Sequence, residues 1–263
     1  MHEVERFLEG KHAVVTGGSR GIGAAVAAQL VARGAKVTIM GRSAETLERQ
    51  AEQLRGEEGV TVAVEKCDVS DERSVRSAFG SAIAALGPVY VLVNNAGIAP
   101  STKFGQTTLA AWNETIAINL TGTFLCTSEV IPAMIEAKEG RVVNIASTAG
   151  LRGYKTMSAY CASKHGVIGL TRSLALETAK HGITVNAVCP SFADTDITGT
   201  AVKNLMTRLG KTADEAMAML TGAIPRGTLI APEEVASAVS WLCSPGASGV
   251  TGVALPIAGG EIS

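Results

Sequence analysis

Three consecutive segments near the start of the chain constrain its fold more than anything else in it. Lys11 to Thr16 (KHAVVT) is short, apolar and β-branched, GGSRGIG follows at once, and AAVAAQLVARGA then carries helical spacing. Such a composition suits a buried strand, and the later run suits a helix laid upon it. Between them the glycines stand at 17, 21 and 23. Without Cβ atoms, Gly17 and Gly23 let the backbone turn tightly and come close to a ligand. The helix that opens there offers unpaired N–H groups and the positive end of its dipole, which together favour a pyrophosphate. A glycine motif by itself is more often an ordinary turn. Its place between strand and helix is what gives it meaning.

Gly34 closes that helix, and Lys36 to Met40 (KVTIM) reads as a second strand. A dinucleotide fold specific for NAD usually carries an acid at this point, where it accepts the ribose 2′-OH. Here the chain has Gly41-Arg42-Ser43, with no carboxylate and one guanidinium. Arg42, with Ser43 and with Arg20 from the glycine turn, could hold a 2′-phosphate. The missing acid and the present base both point to NADP(H), with NAD(H) left open. The plainer reading of Arg42 is a solvated charge at the head of the next helix. Ser43 N-caps that helix, which has Glu45 in its first turn and runs to about Arg55.

Val60 to Lys66 reads as the third strand, ending in Cys67-Asp68-Val69. Asp68 could accept from an adenine amino group, or equally start the next turn ahead of a helix from about Asp71 to Leu86. Val89 to Val93 is a fully apolar strand that ends in Asn94-Asn95-Ala96-Gly97, a tight turn suited to a ligand or to none. A long helical region is expected from about Thr107 to Glu136, and Asn119 inside it reads by default as a satisfied core amide. Arg141 to Ala146 and Ile183 to Val188 are the fifth and sixth strands. Residues 191–225 form a less regular insertion with two weak helices, well placed for a substrate lid. A helix opened by Pro232 and a strand within GVALPIAGG finish the chain. Strands alternate with helices throughout, so the expected architecture is α/β: a single domain over 1–263, with a seven-stranded parallel sheet and helices on both faces.

Ser147 stands just past the end of the fifth strand, and Tyr160 and Lys164 lie four residues apart in a helical run. At that spacing two side chains share a helix face. A phenol titrates near 10 and works poorly as an acid or base at neutrality, and a neighbouring ammonium lowers that value. A Tyr and a Lys four apart are also a common accident of amphipathic helices. Every stretch noted above falls at the carboxyl end of a strand, where parallel sheets bind their ligands.

With TGGSRGIG, NNAG, Ser147, Tyr160-x-x-x-Lys164 and the Pro190 segment together, the sequence resembles the short-chain dehydrogenase/reductase family over nearly its full length. The resemblance implies a single-domain Rossmann fold. It makes Tyr160 the general acid/base, with Lys164 lowering its pKa and bonding the nicotinamide ribose, and has Ser147 orient the substrate carbonyl. Asn119 becomes part of a proton relay, against the default above. Ser19, Arg20, Gly21, Ile22 and Gly23 line the pyrophosphate, Asp68 and Val69 flank the adenine, Asn95, Ala96 and Gly97 back the ribose, and Pro190 to Thr195 run beside the nicotinamide. One departure is that Ser191 stands where the family often has glycine. Among subgroups the chain looks most like bacterial 3-oxoacyl-thioester reductases and polyketide ketoreductases. The alternatives are an NAD-dependent catabolic dehydrogenase of a hydroxyacyl-CoA, cyclic alcohol or dihydrodiol, and a non-catalytic cofactor-binding sensor. The family is commonly tetrameric, so a homotetramer is expected.

Bulk properties narrow the partners. The formal net charge is −1, which argues against nucleic acid and anionic membranes. The apolar runs read as too short to span a bilayer, and MHEVERFLEG has no signal-type core. The five scattered cysteines suit reduced thiols and a cytoplasmic location, and no residue set has metal-ligand spacing. The substrate is expected to be a small ketone, alcohol or acyl thioester. The loops at 98–106, 148–157 and 192–225 carry Phe104, Tyr154, Met157, Phe192 and Met206, which suit a moderately apolar one.

Overall fold

The structure is a computed structural model that describes residues 5–56 and 59–262. In chain order it runs β1 (His12–Thr16), α1 (Gly21–Ala32), β2 (Lys36–Gly41), α2 (Ala44–Leu54), β3 (Val62–Lys66), α3 (Glu72–Leu86) and β4 (Val89–Asn94). The second half holds α4 (Leu109–Ile116), α5 (Gly122–Ala137), β5 (Gly140–Ile145), α6 (Ser158–Thr178) and β6 (Ile183–Pro190). It closes with α7 (Asp196–Leu209), α8 (Ala213–Thr221), α9 (Pro232–Cys243) and β7 (Ala254–Ile257). The expected seven strands form one sheet in the order β3-β2-β1-β4-β5-β6-β7. All six pairings are parallel. The order reverses between β1 and β4, so a crevice opens beyond their carboxyl ends.

Parallel strands are covered on both faces and therefore read as nearly continuous apolar runs. β6 is buried along its whole length. On one face Val26 and Leu30 of α1, Leu47 of α2, and Val235, Val239 and Leu242 of α9 close over the sheet. On the other, Val75 and Phe79 of α3, Cys126, Val130 and Met134 of α5, and Ala175 of α6 do so. Truncating a side chain as large and enclosed as Phe79 to alanine costs about 3–5 kcal/mol.

The helix expected from 107 to 136 is interrupted. A π-turn at Ala117–Thr121 separates α4 from α5. Within it the Asn119 side chain is drawn inward onto the backbone of Ile98, 21 residues away. α5 also starts at a glycine so close to β3's end that a Cβ there would stand 2.9 Å from the Val69 carbonyl oxygen. Leu109–Ala137 taken whole is long and apolar enough to cross a membrane by length and composition, which the sequence reading did not anticipate. Here Cys126, Val130 and Met134 of that run pack on the sheet and Asn119, Thr123 and Thr127 are buried beside them, while Leu109 and Phe124 are exposed.

The insertion at 191–225 holds α7 and α8, packed on each other through Val202, Ala216 and Leu220 with Phe192 and Met206 alongside. Thr212 and Glu215 cap α8 reciprocally. All five cysteines are unpaired and buried.

Candidate active site

The glycine turn is shaped by close approach. Gly17 (φ 63°) and Gly21 (φ 52°) take left-handed backbone, which glycine adopts without penalty. A Cβ on Gly23 would fall on the Gly17 carbonyl oxygen and 2.5 Å from Asn95 Nδ2. No side chain caps α1, and no acid stands in its first turn. Unpaired helical N–H groups beside a surface that a Cβ would fill fit the diphosphate of a dinucleotide. Ser19 and Ile22 sit half-buried in the same turn. On the far side of the crevice, Thr195 Cγ2 comes within 3.1 Å of where a Gly21 Cβ would be.

Asn95 holds the glycine turn directly. Its amide donates to the carbonyls of Thr16 and Gly17, at 3.0 Å each. The backbone N–H groups of Asn95 and Ala96 both donate to Thr16 Oγ1. Asn95 therefore braces the glycine turn from below, and Thr16, which sequence reasoning passed over, is its counterpart. Asn94 belongs to the core: its amide donates to Thr127 Oγ1 at 3.0 Å and to Asn144 Oδ1 at 2.9 Å.

At the end of β2, Arg42 is exposed, and its charge helps hold the Asp68 carboxyl below its usual range, behind the larger effect of the Ser70 hydroxyl. Asp68 Oδ1 accepts from the Ser70 N–H at 3.0 Å and the Ser70 hydroxyl at 2.6 Å. Of the two readings of Asp68, this contact is the turn, while Asp71 caps α3. Val69 is buried beside Gly122. The Ser43 hydroxyl accepts from Thr46 N–H as the cap of α2. Arg20 reaches across the crevice to Asp196 Oδ2 at 3.0 Å, an exposed pair that ties the glycine turn to the start of α7. Exposed pairs of this kind contribute little and are readily exchanged for another anion.

Ser147, Tyr160 and Lys164 come together at the ends of β5 and β6. The Ser147 hydroxyl stands near enough to the Tyr160 phenol to favour its charged form, accepts from Ala149 N–H at 3.1 Å and lies 3.4 Å from the Pro190 carbonyl oxygen. Lys164, which is buried, donates from Nζ to the Ile145 carbonyl at 2.7 Å, and Nζ lies 5.8 Å from the centre of the Tyr160 ring. Gly97 is adjacent: a Cβ on it would sit 3.1 Å from Asn119 Oδ1 and 3.7 Å from Lys164 Nζ.

The direction of the Tyr160 shift differs from the expectation. Burial pushes the phenol up to about 12, and the nearby Ser147 hydroxyl only partly offsets it. Burial lowers the Lys164 ammonium to about 8. Lys164 is buried and Tyr160 partly so, and burial makes each resist its own charged form. Tyr160 is therefore held as a proton donor.

The Asn119 side chain is fully engaged. Oδ1 accepts from Ile98 N–H at 2.9 Å, and Nδ2 donates to the Ile98 carbonyl and the Ser163 hydroxyl at 2.9 and 3.0 Å. It fixes the 97–98 backbone beside Lys164, in line with the default structural reading. Sequence reasoning also missed Glu261, whose side chain is only 1% exposed and closes off the region behind Tyr154 and Ser191. Two small clefts at the amino-terminal end of the sheet, one lined by Lys11, Pro88 and Tyr90 and the other by Arg6, Lys36 and Thr61, hold none of these groups.

A doubly wound parallel sheet, an uncapped glycine cradle at its switch point and a Ser–Tyr–Lys cluster across the crevice define a dinucleotide-dependent oxidoreductase. The chain belongs to the short chain dehydrogenase family, which it matches over residues 11–205. It is 38% identical to the 3-oxoacyl-(acyl-carrier-protein) reductase of Aquifex aeolicus over 98% of this chain and 99% of that one. It is 37% identical to the D-threitol dehydrogenase of Mycolicibacterium smegmatis, covering 96% and 93%. Among solved structures, a variant of the actinorhodin polyketide ketoreductase with NADPH superposes with a TM-score of 0.92 at 38% identity, covering 95% and 97%.

Proposed function

We propose that this protein interconverts a ketone and a secondary alcohol using NADP(H), with a 3-oxoacyl thioester or a cyclic ketone as the substrate class. The observation that carries the reading is the meeting of Ser147, Tyr160 and Lys164, with Nζ 5.8 Å from the Tyr160 ring centre, on the same edge of the sheet as the glycine cradle. When bound, the nicotinamide supplies the hydride to the carbonyl carbon. The chain's own residues handle the oxygen. Ser147 and Tyr160 present two hydroxyls to it, and Tyr160 gives up its proton as alkoxide charge develops. The ammonium of Lys164 stabilises the resulting phenolate. In the other direction the phenolate takes the alcohol's proton. Asn119 and Ser163 hold the backbone at 97–98 so that Lys164 keeps this place.

The 2′-phosphate falls to Arg42, since β2 ends without an acid. That feature favours NADP(H) over the NAD-dependent catabolic alternative. α7 and α8 serve as the lid, with Phe192 and Met206 packed into its core. A cytoplasmic homotetramer fits the exposed Phe124, Leu176 and Trp241 on α5, α6 and α9, and light scattering at working concentration tests it.

The deciding experiment follows nicotinamide absorbance with a β-ketoacyl thioester and a cyclic ketone, each with NADPH and NADH. Turnover with NADPH should fall by about 10²–10⁴-fold in Tyr160→Phe while cofactor binding persists. Equal turnover by that variant would sink the assignment.

A further inference from the structure

The chain does not leave the site after β7. Gly259 (φ 56°) and Gly260 (φ 92°) turn it back in left-handed backbone, and a Cβ on Gly259 would stand 2.7 Å from Ile224 Cγ2. Only glycine makes this return. It delivers Glu261, whose side chain is 1% exposed. Oε1 accepts from Tyr154 Oη at 2.6 Å and from Arg152 Nη2 at 2.7 Å. Oε2 accepts from the Ser191 hydroxyl. One carboxylate thus joins the loop after β5, the end of β6 and the tail after β7. It also gives Ser191, the departure from the family pattern, a partner.

The direction of these bonds is fixed by chemistry. An ionised carboxylate only accepts, and a phenol has one proton. Tyr154 gives that proton to Glu261, so its 2.7 Å contact with Thr148 is a bond that Thr148 donates. Both hydroxyl protons are therefore turned away from the crevice. What remains of Tyr154 is its ring, with the Arg152 guanidinium 4.7 Å over its centre and Phe192 packed edge-on, centroids 6.4 Å apart at 87°. Thr148, which bonds the Tyr154 hydroxyl, directly follows Ser147.

We propose that Glu261 is a positioning residue that sets substrate specificity: it fixes the Tyr154 ring as an apolar wall of the crevice and so limits the size of ketone accepted. The proposal rests on the ketone-reducing reading above. Ser191 supports the same carboxylate, and Arg152 balances its charge.

The test uses Glu261→Gln, Glu261→Leu and Tyr154→Phe with a small ketone and a bulky cyclic one. Losing hydrogen bonds to a buried charge should change KM for the bulky ketone about tenfold relative to the small one. The kcat and the KM for NADPH should stay within about twofold, since Glu261 touches neither reacting atom nor cofactor. Tyr154→Phe keeps the ring and loses the tether, so it should reproduce the shift, and the double variant should add nothing to it. Equal changes for both ketones, or additive effects, would overturn the proposal. Hydrogen exchange over 148–157 in the near-isosteric Glu261→Gln gives a readout independent of turnover: faster exchange there supports the tether, and unchanged exchange refutes it. Failure of the wild type to turn over any ketone would count against the proposed function, with the exchange result still deciding the tether.

Discussion

Arg42→Ala is the sharpest probe of the cofactor assignment. Arg42 lies just past β2, exposed, where a carboxylate would mark NAD. Hydrogen bonds to a charged group contribute about 1.5–3 kcal/mol, and the exposure of this guanidinium places it near the lower end. At 1.4 kcal/mol per factor of ten, about 1.5–2 kcal/mol raises the KM for NADPH roughly 10- to 30-fold. The 2′-phosphate lies far from the reacting carbon, so the contact is equal in ground and transition states and kcat should hold. The KM for NADH should stay within about twofold, because NADH has no 2′-phosphate. Added salt should weaken NADPH binding in the wild type more than in the variant. Steady-state kinetics with both cofactors reads all of this. Parallel losses for NADPH and NADH would refute the reasoning and leave Arg42 as a support of the turn before α2.

Other outcomes follow from the same geometry. Gly23→Ala places a methyl against the Gly17 carbonyl and Asn95, so it should lower stability by about 1–3 kcal/mol and abolish dinucleotide binding, as thermal melts with and without NADPH would show. The rate of ketone reduction should fall as pH rises through about 8, where Lys164 loses its proton. Tyr160, pushed up to about 12, stays protonated across that range. Alcohol oxidation needs the phenolate and should instead gain from rising pH; a reduction rate flat from pH 7 to 10 would contradict the assignment of the charge to Lys164. Asn95→Ala removes the brace under the glycine turn and should weaken binding of NADPH and NADH alike, in contrast to Arg42→Ala.

Much of the fold was legible because its signals are local. Each strand is a short apolar run, each turn carries its own glycine or cap, and Ser43 and Pro232 mark helix starts where the structure has them. The break inside 107–136 was not legible. Its cause is Asn119 reaching Ile98, 21 residues away, together with the press of Val69 on Gly122. The contact of Asn95 with the glycine turn was not legible either, because only the pairing of β1 with β4 places Thr16 and Gly17 above it. Glu261 gave no signal at all. A glutamate near a chain end reads as solvated until the folded tail places it against Tyr154 and Ser191.

The sequence by itself determined the order of strands and helices, the glycine cradle, the missing acid after β2 and the Ser147, Tyr160 and Lys164 set. These are written in residue type and short spacing, which act within a turn or two of backbone. Tertiary structure decided what depends on burial and on distant partners. It reversed the expected shift of Tyr160, because enclosure by residues far along the chain removes the water that would stabilise a phenolate. It turned Arg20 toward Asp196, 176 residues away. It also closed the crevice with a carboxylate from the chain's last few residues, since only packing brings the ends of β5, β6 and β7 to one place.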